Sequence, residues 1–428
     1  MTTDNSIWSQ LHKILFRFFF TYFALYLLSF PIGEFLPHLD FLGKIQIAII
    51  DWLVNGFNDY IMHFTKVLMP INGSGDTSYG WVQLTLSLSL SVLGTIIWTA
   101  LDFRRNNYRT LDFIIWTALR YFVCYIAFIY GSIKVVMMQM GFPSLSQLAT
   151  PLGDYLPMRF TWLFIGYSDG YQFFSGLMEM LVFFLLLFKK TTTLGLFIGL
   201  GVFINVMMLN LCYDVPVKIF SIHLVVMCFL LLTPDFKRLF NFFIFNKPTH
   251  ISAKYHFSST KRWMRITRIC LKVFFAVCIV FMIIITTEQM TQEEKKPFAY
   301  GVYDIEHFVI NKDTTPVLAN DSLAWKDMIF DKWNTVSVNT TDTLLSRRYR
   351  RGYFYFDRDS VKQTLTCYKF KDQDSIYLFK MQYTFNGKDK MKLRTKIKGD
   401  SVIIDLVNNH RKFQLENKEF HWLSEHNR

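Results

Sequence analysis

Leu194-Gly195-Leu196-Phe197-Ile198-Gly199-Leu200-Gly201-Val202-Phe203-Ile204 carries no charged side chain and no side-chain hydrogen-bonding group. It sits inside a longer apolar run, 192–211, which as a helix spans the ~30 Å hydrocarbon core of a bilayer. Lipid offers no partner to backbone N–H and C=O groups, so such a run must satisfy them itself, as a helix does. Six further runs read the same way: 13–32, 81–101, 113–138, 171–188, 217–233 and 267–287. About seven transmembrane helices are therefore expected. The third run is long and includes Arg120 and Lys134, which predicts tilting. Segment 44–60 is apolar but broken by Asp51, Asn55 and Asn58. It reads as an interfacial or re-entrant helix.

Composition supports the membrane class. The chain has 428 residues, 52% of them hydrophobic, with 45 Phe. A net charge of +13 could indicate nucleic acid, but the basic residues gather at the ends of apolar runs, where lipid headgroups lie. No zinc-finger, helix-turn-helix or aromatic–basic platform accompanies them, so no nucleic-acid partner is expected. The six Cys (Cys124, Cys212, Cys228, Cys270, Cys278, Cys367) show no C-x-x-C spacing, and neither a disulfide framework nor a metal site is indicated. Lys13 and Arg17 head the first apolar run with no small-residue cleavage site after it, which predicts a retained helix.

Orientation follows from the basic loops. Residues 102–112, 189–190 and 235–268 hold the Lys and Arg concentrations and must share one side, which makes them cytoplasmic, with the N-terminus inside. Seven crossings then place the C-terminal domain in the periplasm. The outward loops 33–80 and 139–170 are long and contain turn residues such as Asn72-Gly73-Ser74-Gly75-Asp76.

After 288 the pattern changes to alternation. Runs 352–357, 361–370, 375–385, 391–398 and 401–407 are rich in Tyr, Phe, Val, Ile and Thr, with Asn386-Gly387 and Gly399-Asp400 between strands as hairpin signals. An antiparallel β meander or small closed barrel is expected, with an apolar face led by Phe354, Phe356, Leu378 and Ile403. Cys367 fits an oxidising compartment if it is buried. The expected domains are 1–111, N-terminal helices with a periplasmic loop; 112–246, a four-helix membrane domain; 247–290, a basic linker and last helix; and 291–428, the β-rich domain.

Charge inside a bilayer is costly and usually marks function. Lys134, Glu179, Lys218 and His223 fall in apolar runs, and Asp214 lies in the turn Tyr213-Asp214-Val215-Pro216-Val217-Lys218. Antiparallel threading brings them to similar depth in the outward half of one bundle, with Asp154 in the adjoining outer loop. Two readings stand side by side. Either these groups form a polar ligand pocket or proton relay, or Lys134–Glu179 and Asp214–Lys218 are ion pairs that tie helices together. Arg17 and Arg120 are expected to snorkel to headgroups. His223 lacks a second ligand at helical spacing, and Met137, Met138, Met140, Met207 and Met208 read as packing residues, so no metal is expected.

Several pieces of 119–246 resemble the DoxX-like family of four-helix membrane domains: Tyr130-Gly131-Ser132-Ile133-Lys134, Gly166-Tyr167-Ser168, Gly176-Leu177-Met178-Glu179, Lys190-Thr191-Thr192-Thr193-Leu194-Gly195, and Asn205-Val206-Met207-Met208-Leu209-Asn210. The whole chain, with Phe420-His421-Trp422 near its end, resembles longer envelope proteins of this kind in Bacteroidota-type bacteria. The family takes its name from a small subunit of a quinone-linked sulfur oxidoreductase. The resemblance thus implies an inner-membrane protein that binds a quinone-like or other hydrophobic small molecule in a redox-linked process. The chain itself has no haem-ligating His pair, no flavin motif and no cysteine pair, so any redox cofactor would be a bound quinone or belong to a partner. The alternative is a non-enzymatic envelope component whose helices anchor a β domain that binds a membrane or periplasmic protein partner. No residue is assigned a catalytic role, and whether the chain is an enzyme stays open.

Overall fold

The computed structural model describes residues 7–30, 40–249, 298–311, 313–315, 325–340, 345–370, 375–397, 399–417 and 421–423, together with short helical stretches between 266 and 284. The chain divides into two compact units. One comprises 1–138 with 170–283, and the other comprises 139–169 with 284–428. This division cuts across the contiguous domains expected from the sequence, because the outer loop 139–169 groups with the C-terminal β structure.

The first unit is helical. Its helices are α1 (Gln10–Leu28), α2 (Asp40–Phe57), α3 (Ser78–Leu101) and α4 (Arg109–Val135), then α7 (Asp169–Leu187), α8 (Thr192–Cys212), α9 (Lys218–Leu232) and α10 (Phe236–Phe243). Six helical segments among the described residues are long and apolar enough to cross a membrane: Gln10–Leu28, Ser78–Leu101, Arg109–Val135, Asp169–Leu187, Lys189–Cys212 and Lys218–Phe243. The chain is thus a multi-pass membrane protein. The seventh expected run, 267–287, lies largely outside the described residues. Helical Phe275 within it packs its ring 5.1 Å from Phe183 and 5.7 Å from Phe128. Helix α2 is not one of the six, and it ends in a π-helical turn, Asn58–Met62.

Helix α4 crosses α7 at two glycines. A Cβ on Gly131 would lie 2.9 Å from the Met180 nitrogen, and one on Gly176 would lie 2.7 Å from the Val135 nitrogen and 2.9 Å from the Gly131 oxygen. Small residues permit such backbone approach, which is how helices gain packing energy where lipid supplies no hydrophobic drive.

The second unit is a β-barrel with a helical strap. The strands are β1 (Gly301–Ile310), β2 (Asp313–Thr315), β3 (Asp327–Asp331), β4 (Thr335–Val338), β5 (Ser346–Arg348), β6 (Arg351–Asp359), β7 (Thr364–Tyr368), β8 (Tyr377–Asn386), β9 (Lys390–Ile397) and β10 (Asp400–Asn408). Neighbours run in the order β10-β9-β8-β7-β6-β4-β3-β1, and β10 pairs back onto β1, so eight antiparallel strands close, with β2 and β5 as short additions. Closure leaves no long exposed edge for another chain to pair with. Gly387 (φ +82°) and Gly399 (φ +96°) turn the last two hairpins, as expected.

Alternate residues fill the interior, among them Met328, Phe330, Phe354, Phe356, Phe379, Met381, Leu393 and Ile404. Phe354 and Phe356 are placed as expected, and Leu378 is partly buried against the core. Ile403 is not, because Val402, Ile404 and Leu406 are the buried residues of β10 and the period of two sends Ile403 outward. Cys367 is fully buried in the interior, where burial drives its thiol pKa well up.

The strap 139–169 holds the short helix α5 (Leu145–Leu148) and α6 (Pro157–Tyr167). Leu145 seals an apolar patch of Val302, Ile329 and Phe413 on the barrel's outer face. Beside it, the Ser146 amide donates to Asp331 (3.0 Å), and the Ser337 hydroxyl donates to Ser146 Oγ (2.8 Å). Arg351 donates to Ser337 Oγ (3.0 Å) and forks onto Asp327 (2.6 and 3.0 Å).

Candidate functional site

The expected polar cluster resolves into three separate groups. Lys134 and Glu179 form a buried ion pair between α4 and α7, held close by the Gly131–Gly176 crossing. The Lys134 ammonium also lies 5.9 Å from the Tyr130 ring. Lys218 pairs with Asp214 (2.7 Å) one turn earlier and faces Asp76 at 3.7 Å. Asp76 accepts from the Lys218 and Ile219 amides (2.8 and 3.0 Å), capping the positive end of α9. His223 bonds through Nδ1 to the Ile219 carbonyl (2.6 Å) and through Nε2 to the Tyr22 hydroxyl (2.6 Å), with Tyr26 stacked on its ring at 4.2 Å. A carbonyl only accepts, so Nδ1 carries the proton, and Nε2 faces the Tyr22 hydroxyl. No hydrogen bond or ion pair among the described residues joins these groups to one another. Asp154 belongs to the other unit, where it binds Arg350 at 2.9 Å.

Two polar groups in the bundle keep unused capacity. Glu179 Oε2 has no hydrogen-bond partner, and neither amide atom of Gln172 has one, although Gln172 is 1% exposed. Gln172, Gly176 and Glu179 lie at i, i+4 and i+7 on α7, one face of the helix. Gln172 was not singled out from the sequence, because a lone Gln at the head of an apolar run looks like a terminal polar residue.

Arg17 and Arg120 do not snorkel. Arg17 is fully buried and donates to the Tyr108 hydroxyl (2.7 and 3.0 Å), Thr99 Oγ1 (2.9 Å) and the Asp102 carbonyl (2.7 Å). It ties α1 to the loop after α3. Arg120 is 2% exposed, donates to Thr192 Oγ1 (3.3 Å) and lies 4.5 Å from the Tyr121 ring. Arg17 meets enough protein acceptors that its burial costs less than the helix-end position alone suggests. Among the described residues, no three His, Cys, Asp or Glu side chains are grouped to hold a metal ion.

A concavity lies within the second unit, between the strap and the barrel's outer face. A hollow of about 740 Å³ is lined by Phe142, Ser144, Arg159, Trp333, Tyr349 and Tyr353, among others. A second, of about 350 Å³, adjoins it, and Trp333, Tyr355 and Phe370 line both. Tyr353 and Tyr355 alternate with the interior residues Phe354 and Phe356, so the β6 period of two aims them outward. The Tyr353 hydroxyl is buried without a partner, and burial raises its pKa.

Two strained hairpin tips border these hollows. Tyr349 (φ +52°) and Arg350 (φ +58°) form the two-residue turn between β5 and β6, both in the left-handed region. Such turns normally take Asn-Gly. Here their side chains clamp the strap. Arg159 donates to the Tyr349 hydroxyl (2.5 Å), Tyr155 packs 4.9 Å from the Tyr349 ring, and Arg350 pairs with Asp154. The other tip, between β3 and β4, carries Trp333 (φ +61°) and Asn334 (φ +52°), and Trp333 is 81% exposed.

No protein-family model matches the chain, and no solved structure matches it. Over 126 residues it is 34% identical to an uncharacterized protein, YwoB, of Bacillus subtilis, a stretch covering 29% of this chain and 79% of the relative. The chain belongs to the YwoB family. The shared stretch is under a third of the chain, and the relative's description carries no activity over to it.

Proposed function

We propose that this protein is an anchored recognition module of the bacterial envelope. Its helical unit holds it in the inner membrane with the N-terminus cytoplasmic, and its barrel unit, in the periplasm, binds a protein partner. The basic loops support the orientation. The observation that carries the binding role is Trp333, a large apolar ring left 81% exposed on backbone it adopts only at a cost. Non-glycine residues in the left-handed region cost about 1 kcal/mol or more, and they cluster at binding and active sites. Exposed aromatic and Arg side chains around a hollow are the usual anchors of protein interfaces. The test is site-specific photocross-linking in intact cells. A photoreactive residue at 333 should give one discrete adduct, and the same residue at Lys362 should give none. Equal labelling at both positions, or none at 333, removes the recognition role.

A second reading keeps the DoxX-like expectation, a quinone-like or other hydrophobic molecule held by the bundle in a redox-linked process. It rests on the unpartnered Glu179 Oε2 and Gln172 amide. A buried amide without partners costs a few kcal/mol, so a polar head or water bonded there would be stabilising. Organic extraction of the purified protein should then release a quinone in a fixed ratio to protein. A quinone-free extract from active protein counts against this reading.

A further inference from the structure

We infer that the paired hollows on the barrel take an extended polypeptide segment that is acidic where it crosses the larger one. This rests on the recognition role just proposed and names the chemistry of the partner. Around the larger hollow stand four basic residues, Arg159, Lys332, Arg348 and Lys369, against two acidic ones, Asp331 and Glu416. Both acids are already engaged by backbone donors. Asp331 accepts from the Ser146 and Lys332 amides (3.0 and 2.9 Å), and Glu416 accepts from the Phe413 amide (2.9 Å). Arg348 and Lys369 form no ion pair among the described residues. A guanidinium of this kind matches a carboxylate with two parallel hydrogen bonds.

The smaller hollow differs in character. It is bounded by Tyr368, Phe370, Tyr355 and Trp333, with Asp357 as its one acid. Two adjoining hollows that share Trp333, Tyr355 and Phe370 suit a chain whose successive side chains fall to either side. Acidic side chains would meet Arg348 and Lys369, and an apolar one would lie beyond Trp333. The Tyr353 hydroxyl, buried and unpartnered at the wall of the larger hollow, is placed to bond the segment's backbone.

The full-length protein in detergent micelles would be challenged with a display library of random ten-residue peptides. Enriched peptides should carry more Asp and Glu than the input and at least one aromatic or aliphatic anchor. Their affinity should fall roughly tenfold or more between 50 and 300 mM salt, as screened charge pairs require. Arg348→Gln combined with Lys369→Gln, and separately Trp333→Ala, should each weaken binding about tenfold with an unchanged melting temperature; these side chains lie outside the barrel core. Enrichment of basic or uncharged peptides, or indifference to the double substitution, overturns the inference. If no peptide is enriched but a hyaluronan octasaccharide binds in a Trp333-dependent way, the occupant is a glycan and the peptide inference fails. The cross-linking at 333 judges the recognition role separately.

Discussion

Lys134 and Glu179 show how a single residue can be legible in a sequence while its role is not. An ammonium and a carboxylate in apolar runs must find partners, and the structure pairs them as one of the two sequence readings required. No hydrogen bond or ion pair among the described residues joins this pair to the remaining groups, which bond instead to Asp76, Asp214, Tyr22 and the Ile219 carbonyl. Lys134→Met alone should cost about 3–5 kcal/mol by stranding a buried carboxylate, whereas Lys134→Met with Glu179→Gln should recover most of that loss. Thermal unfolding in detergent of the parent, Lys134→Met, Glu179→Gln and the double variant measures the coupling. A double variant no better than the single would mean that the pair is not the main contribution of either residue. Tyr155 offers a pH-dependent case in the strap. Burial pushes its phenol up to about 12, and its hydroxyl donates to the Gln147 carbonyl. At pH values below about 10 the phenol is neutral in folded and unfolded chains alike, and its contribution is intact. As pH rises from about 10 towards 12 the unfolded chain ionises first and the barrel unit loses stability. Tyr155→Phe should flatten that decline in a melting-temperature series from pH 9 to 11.5, while costing about 1 kcal/mol at neutral pH through the lost hydrogen bond.

At the scale of elements, the helices and the last five barrel strands were readable because each shows one clean period. Helices in lipid are apolar all round, and β6 to β10 alternate. Strands β1, β3 and β4 escaped for physical reasons. A register shift between Ile305 and His307 breaks the alternation of β1. In β3, Asp327-Met328-Ile329-Phe330-Asp331 has a buried residue on each face, since the interior takes Met328 and Phe330 while the strap covers Ile329. The β5–β6 turn was equally invisible, because Tyr349-Arg350 is not a turn sequence. Its left-handed backbone is tolerated because both side chains hold the strap. Replacing it with Asn-Gly should relieve about 1 kcal/mol or more of strain per residue in the hairpin itself. The same change removes the anchors for Arg159 and Asp154, so limited proteolysis should cut within 139–169 faster even as the barrel melts no lower. Unchanged cleavage would show that Leu145 and Ser146 suffice to hold the strap.

At the scale of the whole molecule, the barrel's independence has a condition attached. A fragment from about residue 296 onward contains every strand but lacks the strap, leaving Val302, Ile329 and Phe413 uncovered and Asp331 and Ser337 without Ser146. It should give a β-type circular dichroism spectrum yet bind a hydrophobic dye and associate in solution. Fusing 139–169 through a flexible linker should suppress both. A well-behaved, dye-silent fragment would reduce the strap to a passenger. The membrane class, the two kinds of structure and the closing hairpins were all legible from hydropathy and turn residues. The union of 139–169 with a domain that begins more than a hundred residues later was not, because no local pattern records a long-range contact.

The seam that closes the barrel also sets a timetable for its making. Strand β10 ends at Asn408 and pairs with β1. At roughly 5–20 residues per second, the ribosome delivers it some tens of seconds or less after the strap has emerged. Through that interval the strap must wait without its partner, and a nascent barrel carries two open edges. The strap is suited to waiting. Its first helix brings its own capping box, Ser144 with Gln147, and Thr150 bonds back to the Ser146 carbonyl at 2.8 Å, contacts that need no residue of the barrel. A premature stop before β10 would strand the chain at its stickiest stage, with one edge of the first strand still open and a finished membrane anchor holding it there.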